Sequence, residues 1–397
     1  MNKSRDPRVA EETPFACADQ PCRGNREENT LCGGRIRTHQ PNGRCPAFKN
    51  AHNSVLAALI SDDDKKRKEL AKRFRLSPES TYSYEEYDEC LKSGEIDAVY
   101  VGLPNHLHCE YTVRAARAGV HVLCEKPMAV TEKECEQMTT ACQKAGTKLM
   151  IAYRLHFEQA NLEAVKIGTS GQIGDLRIFS STFSQQVDAD NIRATEPESR
   201  GGGSLYDMGV FCINARDTLF RDEPTEVLAA SANNGESRFR QSAEMTIAIL
   251  RFPDERLAVF TSSFGASGHV EYSLIGTRGL LRLSPAFDYS VPLEYELSIG
   301  AGKSKPRPKK FAKHDQFGAQ LEYFSDCILR NRDPEPSGIE GLADIRIVRA
   351  ILESASRRKP VQLPKFERHP RPTQRQEFKK RAVQKPEVVH VSSPSGR

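Results

Sequence analysis

No stretch of this 397-residue chain approaches the roughly 18 consecutive apolar residues that a membrane helix needs. The opening residues, MNKSRDPRVAEETPFACADQPC, hold no apolar core of a secretory signal. A cytoplasmic location without a membrane partner is the expectation. There is no C-x-x-C pair. Cys17, Cys22, Cys32 and Cys45 crowd the start of the chain without a usual zinc spacing. The other cysteines are scattered through strand- and helix-like segments, as reduced thiols are. No Ser-His-acid triad and no His-Glu metal motif is evident, so no metal is expected. The net charge of +5 is local, because Phe366 to Arg397 holds eight Lys and Arg against three Glu. A neutral body carries no electrostatic footprint for nucleic acid. The most consequential absence lies earlier. Nothing before Pro46 reads as an apolar strand followed by G-x-G-x-x-G.

What is present suits a soluble globular protein of two or three domains, with 38% hydrophobic and 28% charged residues. SVLAALIS (54–61), IDAVYVGLP (96–104), VHVLCEK (120–126) and TKLMIAY (147–153) are continuous apolar strands. Between them DDKKRKELAKRF, YSYEEYDECLKSG, HCEYTVRAARAG and TEKECEQMTTACQKAG read as helices. Alternation of this kind predicts a parallel sheet covered on both faces. Ligands on such sheets sit at the carboxyl ends of the strands. After about residue 170 the strands alternate polar and apolar, as in DLRIFSSTFSQQV and EMTIAILRF, which predicts a mainly antiparallel sheet with one covered face. GKSKPRPKKFAKH (302–314) reads as a basic loop, and the proline-rich tail as a loosely packed or disordered arm.

Three stretches carry candidate chemistry. In Glu125-Lys126-Pro127 a strand stops on a carboxylate, an amine and a proline. That is either a surface ion pair or a lysine held over a reacting hydroxyl, with the proline pinning the backbone. LPNHLH (103–108) lies at the same rim and holds ordinary turn residues as well as two histidines. GGGSLYDMGVFCIN (201–214) lets the backbone approach something closely, or hinges, and offers Asp207 from the segment that follows.

Taken in order, DAVYVGLPNHLH, AGVHVLCEKPMAVT, KLMIAYRLHFEQAN, GGGSLYDMGVFCIN, DQFGAQLEYFSDCI and GIEGLADIRIVRAILESA resemble the Gfo/Idh/MocA family, nearest its glucose–fructose oxidoreductase branch. The resemblance runs from about Pro46 to Leu363. It implies an α/β protein: a Rossmann-type parallel sheet domain over 46–153, then an α/β domain with an open, mainly antiparallel sheet over 154–363. The segment 1–45 is then an atypical, disordered start, and 364–397 a basic tail. It implies hydride transfer with NADP or NAD at a carbinol carbon of a sugar or polyol, and a homo-oligomer formed through the second sheet. Lys126 is then the catalytic lysine and Asp207 orients the sugar hydroxyls. Leu103, Pro104, Asn105, His108 and Glu125 line the cofactor, with Lys126. Arg154 and His156 sit near nicotinamide or substrate. Ser61 and Lys66 match positions that hold a 2′-phosphate, while Asp62 disfavours one.

Two departures oppose this. The branch has a tyrosine as proton donor four residues after the aspartate, where this chain has Phe211. The glycine loop is missing. A catalytically impaired relative that binds a sugar or nucleotide as a sensor or scaffold is the rival reading. The missing loop has a candidate explanation in the genetic code. Residues Glu27 to Cys45 can be read one base later, joining the last two bases of each codon to the first of the next. Glu27 and Glu28 then become Lys or Arg, Asn29 Ile or Thr, Cys32 Val or Ala, His39 Ile or Thr, and Gln40 Ser or Asn. One permitted reading is K-K-I-R-F-V-V-V-G-F-G-H-I-S-Q-T-A-V, a strand and a G-x-G turn running into Pro46.

Overall fold

A computed structural model describes residues 30–36, 48, 50–300, 305–366 and 376; the side chains of 30–36 and 216–218 are not described. The first sheet has the order β3-β2-β1-β4-β5-β6. Its strands are β1 (Thr30–Ile36), β2 (Ser54–Ser61), β3 (Thr81–Tyr82), β4 (Ala98–Gly102), β5 (His121–Cys124) and β6 (Leu149–Ile151). The helices between them are α1 (Asp64–Phe74), α2 (Tyr87–Lys92), α3 (His108–Arg117) and α4 (Glu132–Ala145). Local chemistry sets their ends. The Asp63 carboxylate accepts from the Lys66 amide at the start of α1. A capping box of Thr131 and Glu134 starts α4, and Gly146, at φ 68°, ends it.

β4, β5 and β6 are parallel, as are β2 and β3. The central strand is not absent, as the sequence suggested; β1 fills the slot. It runs antiparallel to both neighbours, pairing Ile36 with Ser54 on one side and Gly34 with Ala98 on the other. Its carboxyl end therefore lies at the edge where β2 and β4 begin. Most of 1–45 and 364–397 lies outside the described residues. Of the tail, Phe366 sits under Arg346, 4.2 Å from guanidinium to ring, and the Gln376 amide donates to Glu335 O at 2.6 Å.

α5 (Gln159–Thr169) leads to the second sheet, whose order is β14-β13-β12-β11-β7-β10-β9-β8-β15. These strands are β7 (Leu176–Ser184), β8 (Glu226–Ala232), β9 (Met245–Arg251), β10 (Leu257–Ser263), β11 (His269–Gly276), β12 (Gly279–Leu283), β13 (Glu294–Ile299), β14 (Arg307–Lys310) and β15 (Val361–Gln362). Every pairing is antiparallel except β10 with β7. α6 (Ile192–Thr195) and α7 (Val210–Phe220) follow β7, and α8 (Gln316–Leu329) and α9 (Gly338–Arg357) close the body. The stretch expected as a basic loop contributes β14 instead; Pro308 and its basic neighbours suit a solvated sheet edge. β9 alternates strictly between exposed and buried residues, leaving Ile247 and Ile249 on the open face. α8 packs Phe317, Leu321 and Phe324 against Leu59, Phe74 and Met150 of the first sheet's domain.

Candidate active site

The carboxyl ends of β4 and β5 and the segment after β7 line an open cleft. Leu103, Pro104, Asn105, Glu125 and Lys126 form one wall, and Arg193, Arg200 and Asp207 part of the other. Glu125 is fixed first: one oxygen accepts from the Tyr100 hydroxyl, the other from the Lys126 amide at 3.0 Å. The Lys126 Nζ donates to the Asp207 backbone O and to Oδ1, both at 2.8 Å. It also lies 4.7 Å from the centre of the Phe211 ring. Asp207 belongs to a π-helical turn, Leu205–Gly209, that precedes α7. Arg193 Nη1 donates to the same Oδ1 at 2.9 Å. Burial pushes the Asp207 carboxyl up, but Arg193 and Lys126 outweigh it and hold the group at about 2.

The glycines of GGGS do approach other groups closely. A Cβ on Gly201 would come within 2.8 Å of Asn105 Cβ, and one on Gly202 within 2.0 Å of Glu196 O. Asn105 Nδ2 donates to Gly201 O at 2.8 Å, which ties the first sheet's rim to the covering segment. Arg200 donates to His106 and pairs with Glu196 at 3.4 Å. The sequence reading passed over Tyr100, Arg193, Glu196 and Arg200. The last three lie in NIRATEPESR, where charges look solvated; their only signal is the neighbouring triglycine.

Several expected site residues stand elsewhere. His108 is fully buried, with Nδ1 2.9 Å from Pro127 O and Nε2 2.7 Å from Leu103 O. It braces the two rim loops from behind rather than lining the cleft. Arg154 is buried too, bonded to Gln316 and Phe287 O and set among the rings of Phe211, Tyr289 and Phe317. Its guanidinium carbon lies 5.2 Å from the centre of the Phe211 ring. His156 pairs with Glu340 at 2.8 Å inside the second domain. His156, Glu335 and Glu340 lie close enough to suggest metal ligands, within 4.8 Å. The His156 and Glu340 atoms bond each other, and Asn214 bonds Glu340 at 2.7 Å and Asp344 at 3.0 Å, so the group is an internal brace. Ser61 and Lys66 are buried at the end of β2 and in α1, while Asp62 accepts from the Tyr84 amide at 2.7 Å.

The chain thus combines a six-stranded sheet, an open second sheet and a lysine–aspartate pair at the cleft. A model of the Gfo/Idh/MocA oxidoreductase family, NAD-binding Rossmann fold, matches residues 33–153, and one of its C-terminal domain matches 162–282. The chain belongs to that family. It is 30% identical over 327 residues to the NADP(+)-dependent D-xylose 1-dehydrogenase of Haloarcula marismortui, covering 80% of this chain and 88% of that one. An oxidoreductase of Rhizobium meliloti is 32% identical, covering 79% and 92%. The crystal structure of aldose-aldose oxidoreductase from Caulobacter crescentus, complexed with glycerol, superposes with a TM-score of 0.73 at 35% identity, covering 78% and 91%. By family the chain is an NAD(P)-dependent oxidoreductase. For the cofactor, the nicotinamide side of the cleft fits, with Leu103 to Asn105 and Glu125 to Lys126 on one wall. The phosphate side differs, since β1 delivers its carboxyl end to the opposite edge. No helix among the described residues is long and apolar enough to cross a membrane.

Proposed function

We propose that this chain oxidises or reduces an uncharged aldose or polyol at one carbinol carbon, with Lys126 as the catalytic group and Asp207 as the group that orients the substrate. One observation carries the reading: Lys126 gives two of its three N–H bonds to Asp207, and both residues line the cleft. An ammonium there stabilises alkoxide character on the carbinol oxygen. The nicotinamide, when bound, supplies the hydride exchange. Asp207, held at about 2, stays ionised at neutral pH and accepts hydroxyl hydrogen bonds rather than protons. Phe211 offers a ring face and no proton, so the carbinol proton passes through Lys126 and water.

Charge balance supports an uncharged substrate. Lys126 and Arg193 meet Asp207, Arg200 meets Glu196, and Glu125 is bonded to Tyr100, so three cations face three carboxylates. A phosphorylated sugar would need an excess of cations. The rival reading, a binding protein without turnover, rests on Phe211 and β1; the named relatives are dehydrogenases and oxidoreductases. The test is steady-state turnover of neutral aldoses against their phosphates. Turnover of neutral aldoses alone is expected, and preference for the phosphates would reject the reading. The exposed apolar face with Leu228, Ile247 and Ile249 supports homo-oligomerisation through the second sheet. Among the described residues seven free thiols, six of them buried, support a reducing, cytoplasmic setting.

A further inference from the structure

Asp207 divides its work between its two oxygens. Oδ1 accepts from both Lys126 Nζ, at 2.8 Å, and Arg193 Nη1, at 2.9 Å. Oδ2 has no donor among the described residues, and the side chain keeps 16% of its surface exposed in the cleft wall. A carboxylate gripped by lysine alone can rotate and offer Lys126 either oxygen. A second cation on Oδ1 from another direction removes that freedom.

Arg193 is itself held in place. Its amide donates to Asn191 Oδ1 at 2.9 Å, and its carbonyl accepts from the Gly203 amide at 2.7 Å. Asn191 is buried, and Gly203 stands at φ 97°, a conformation that favours glycine. An ordinary surface ion pair contributes little and is not pinned at both ends of its backbone. This one is, and it shares its acceptor atom with Lys126.

We propose that Arg193 is a positioning residue of the reaction, acting through Asp207: it fixes Oδ1 on Lys126 and so presents Oδ2 to a hydroxyl of the substrate. The proposal rests on the functional reading above. It gives the triglycine segment a task, since Gly203 holds Arg193 in place from behind.

Four proteins test it: Arg193→Met, Arg193→Lys, Asp207→Asn and the double variant Arg193→Met with Asp207→Asn. With D-xylose as the probe aldose, Arg193→Met is expected to lower kcat/KM by roughly 10- to 100-fold, the scale of a misplaced positioning group. Arg193→Lys recovers part of the loss. NADP(H) affinity, read by fluorescence, stays within about threefold, a shift under 1 kcal/mol. In the Asp207→Asn background Arg193→Met changes kcat/KM by less than about threefold, because a residue acting through Asp207 has nothing left to hold. Additive losses, or an equal loss of cofactor affinity, overturn the proposal. A second readout needs no turnover: the 13C resonance of the Asp207 carboxyl, titrated in the free chain. Its midpoint is expected to rise from about 2 in Arg193→Met, and an unmoved midpoint overturns the proposal. If the unmodified chain turns over no aldose, the functional reading fails, and the carboxyl titration still decides whether Arg193 holds Asp207.

Discussion

Two kinds of strand end meet in the first sheet. β4 and β5 run toward the rim and deliver Leu103-Pro104-Asn105 and Glu125-Lys126-Pro127 to the cleft. β1 lies beside β4, hydrogen-bonded along Thr30 to Gly34, and runs the other way. Both satisfy the backbone, because parallel and antiparallel ladders each pair their N–H and C=O groups. The chemistry at the rim is not so tolerant. A phosphate cradle needs a turn at the carboxyl end of the strand and a helix N-terminus beyond it. A strand lying backwards closes the gap in the sheet but carries its own carboxyl end away from that rim. One half of the sheet thus brings its carboxyl ends to the cleft, while β1 contributes backbone hydrogen bonds to its neighbours.

Lys126→Ala strikes the intact half. It is expected to reduce hydride transfer by about 10³-fold or more, with cofactor affinity changed by only a few-fold; turnover near the parent level in that variant removes Lys126 from the chemistry. The next largest effect belongs to the other half. Replacing residues 27–45 by the shifted reading should turn β1 round and supply G-x-G at the rim. NADP(H) affinity should then rise on the order of 100-fold, the worth of one or two hydrogen bonds to a charged group. Equal affinity would mean that the reversed strand costs nothing. Reading the gene asks the same question more cheaply: codons that give no apolar strand and G-x-G one base later end the shifted-frame proposal.

Acid titration sharpens the contrast from the intact side. The folded Asp207 carboxyl sits at about 2, below its ordinary 3.8, so its contribution is complete above about pH 4 and lost as pH falls toward 2. Asp207→Asn should therefore cost about 2 kcal/mol in urea unfolding at neutral pH, and that difference should shrink on acidification. A gap that stays constant down to pH 2 contradicts this account. Phe211→Tyr is the mildest change. It places a phenol beside Lys126 and should raise turnover roughly 10-fold by general acid–base help. A flat rate across the pH range would mean that the proton does not move through position 211.

Much of this was legible in the residues, for reasons that differ by element. The apolar runs of β4 and β5 and the helical texture of TEKECEQMTTACQKAG depend on local chemistry, so they could be read directly. The Lys126–Asp207 pair came from motif resemblance, since 81 positions separate the two residues. Neither β1 nor its direction was legible, because TLCGGRI, with two adjacent glycines and an arginine, lacks the apolar run of β4 and β5. Nor was the inward turn of His108, Arg154 and His156. A polar side chain beside a motif says nothing about whether carbonyls or carboxylates wait behind it. Arg193 was hidden for the opposite reason: a charged residue in a polar loop looks solvated until the fold brings Asp207 to it.

The loop that carries Lys126 rests on the last helix of the body. A Cβ added to Gly341 of α9 would stand 2.7 Å from Met128 Sδ, and one on Gly338 would stand 3.4 Å from Met128 Cε. Met128, two residues beyond Lys126, is completely buried there. Synthesis runs from the amino end, and domains fold as they emerge. The first sheet can therefore form early, but the floor beneath Lys126 arrives only when α9 has left the ribosome. Until then the nascent chain has its strands and its lysine but no seat for the loop between them, so catalytic competence is among the last properties the growing chain acquires.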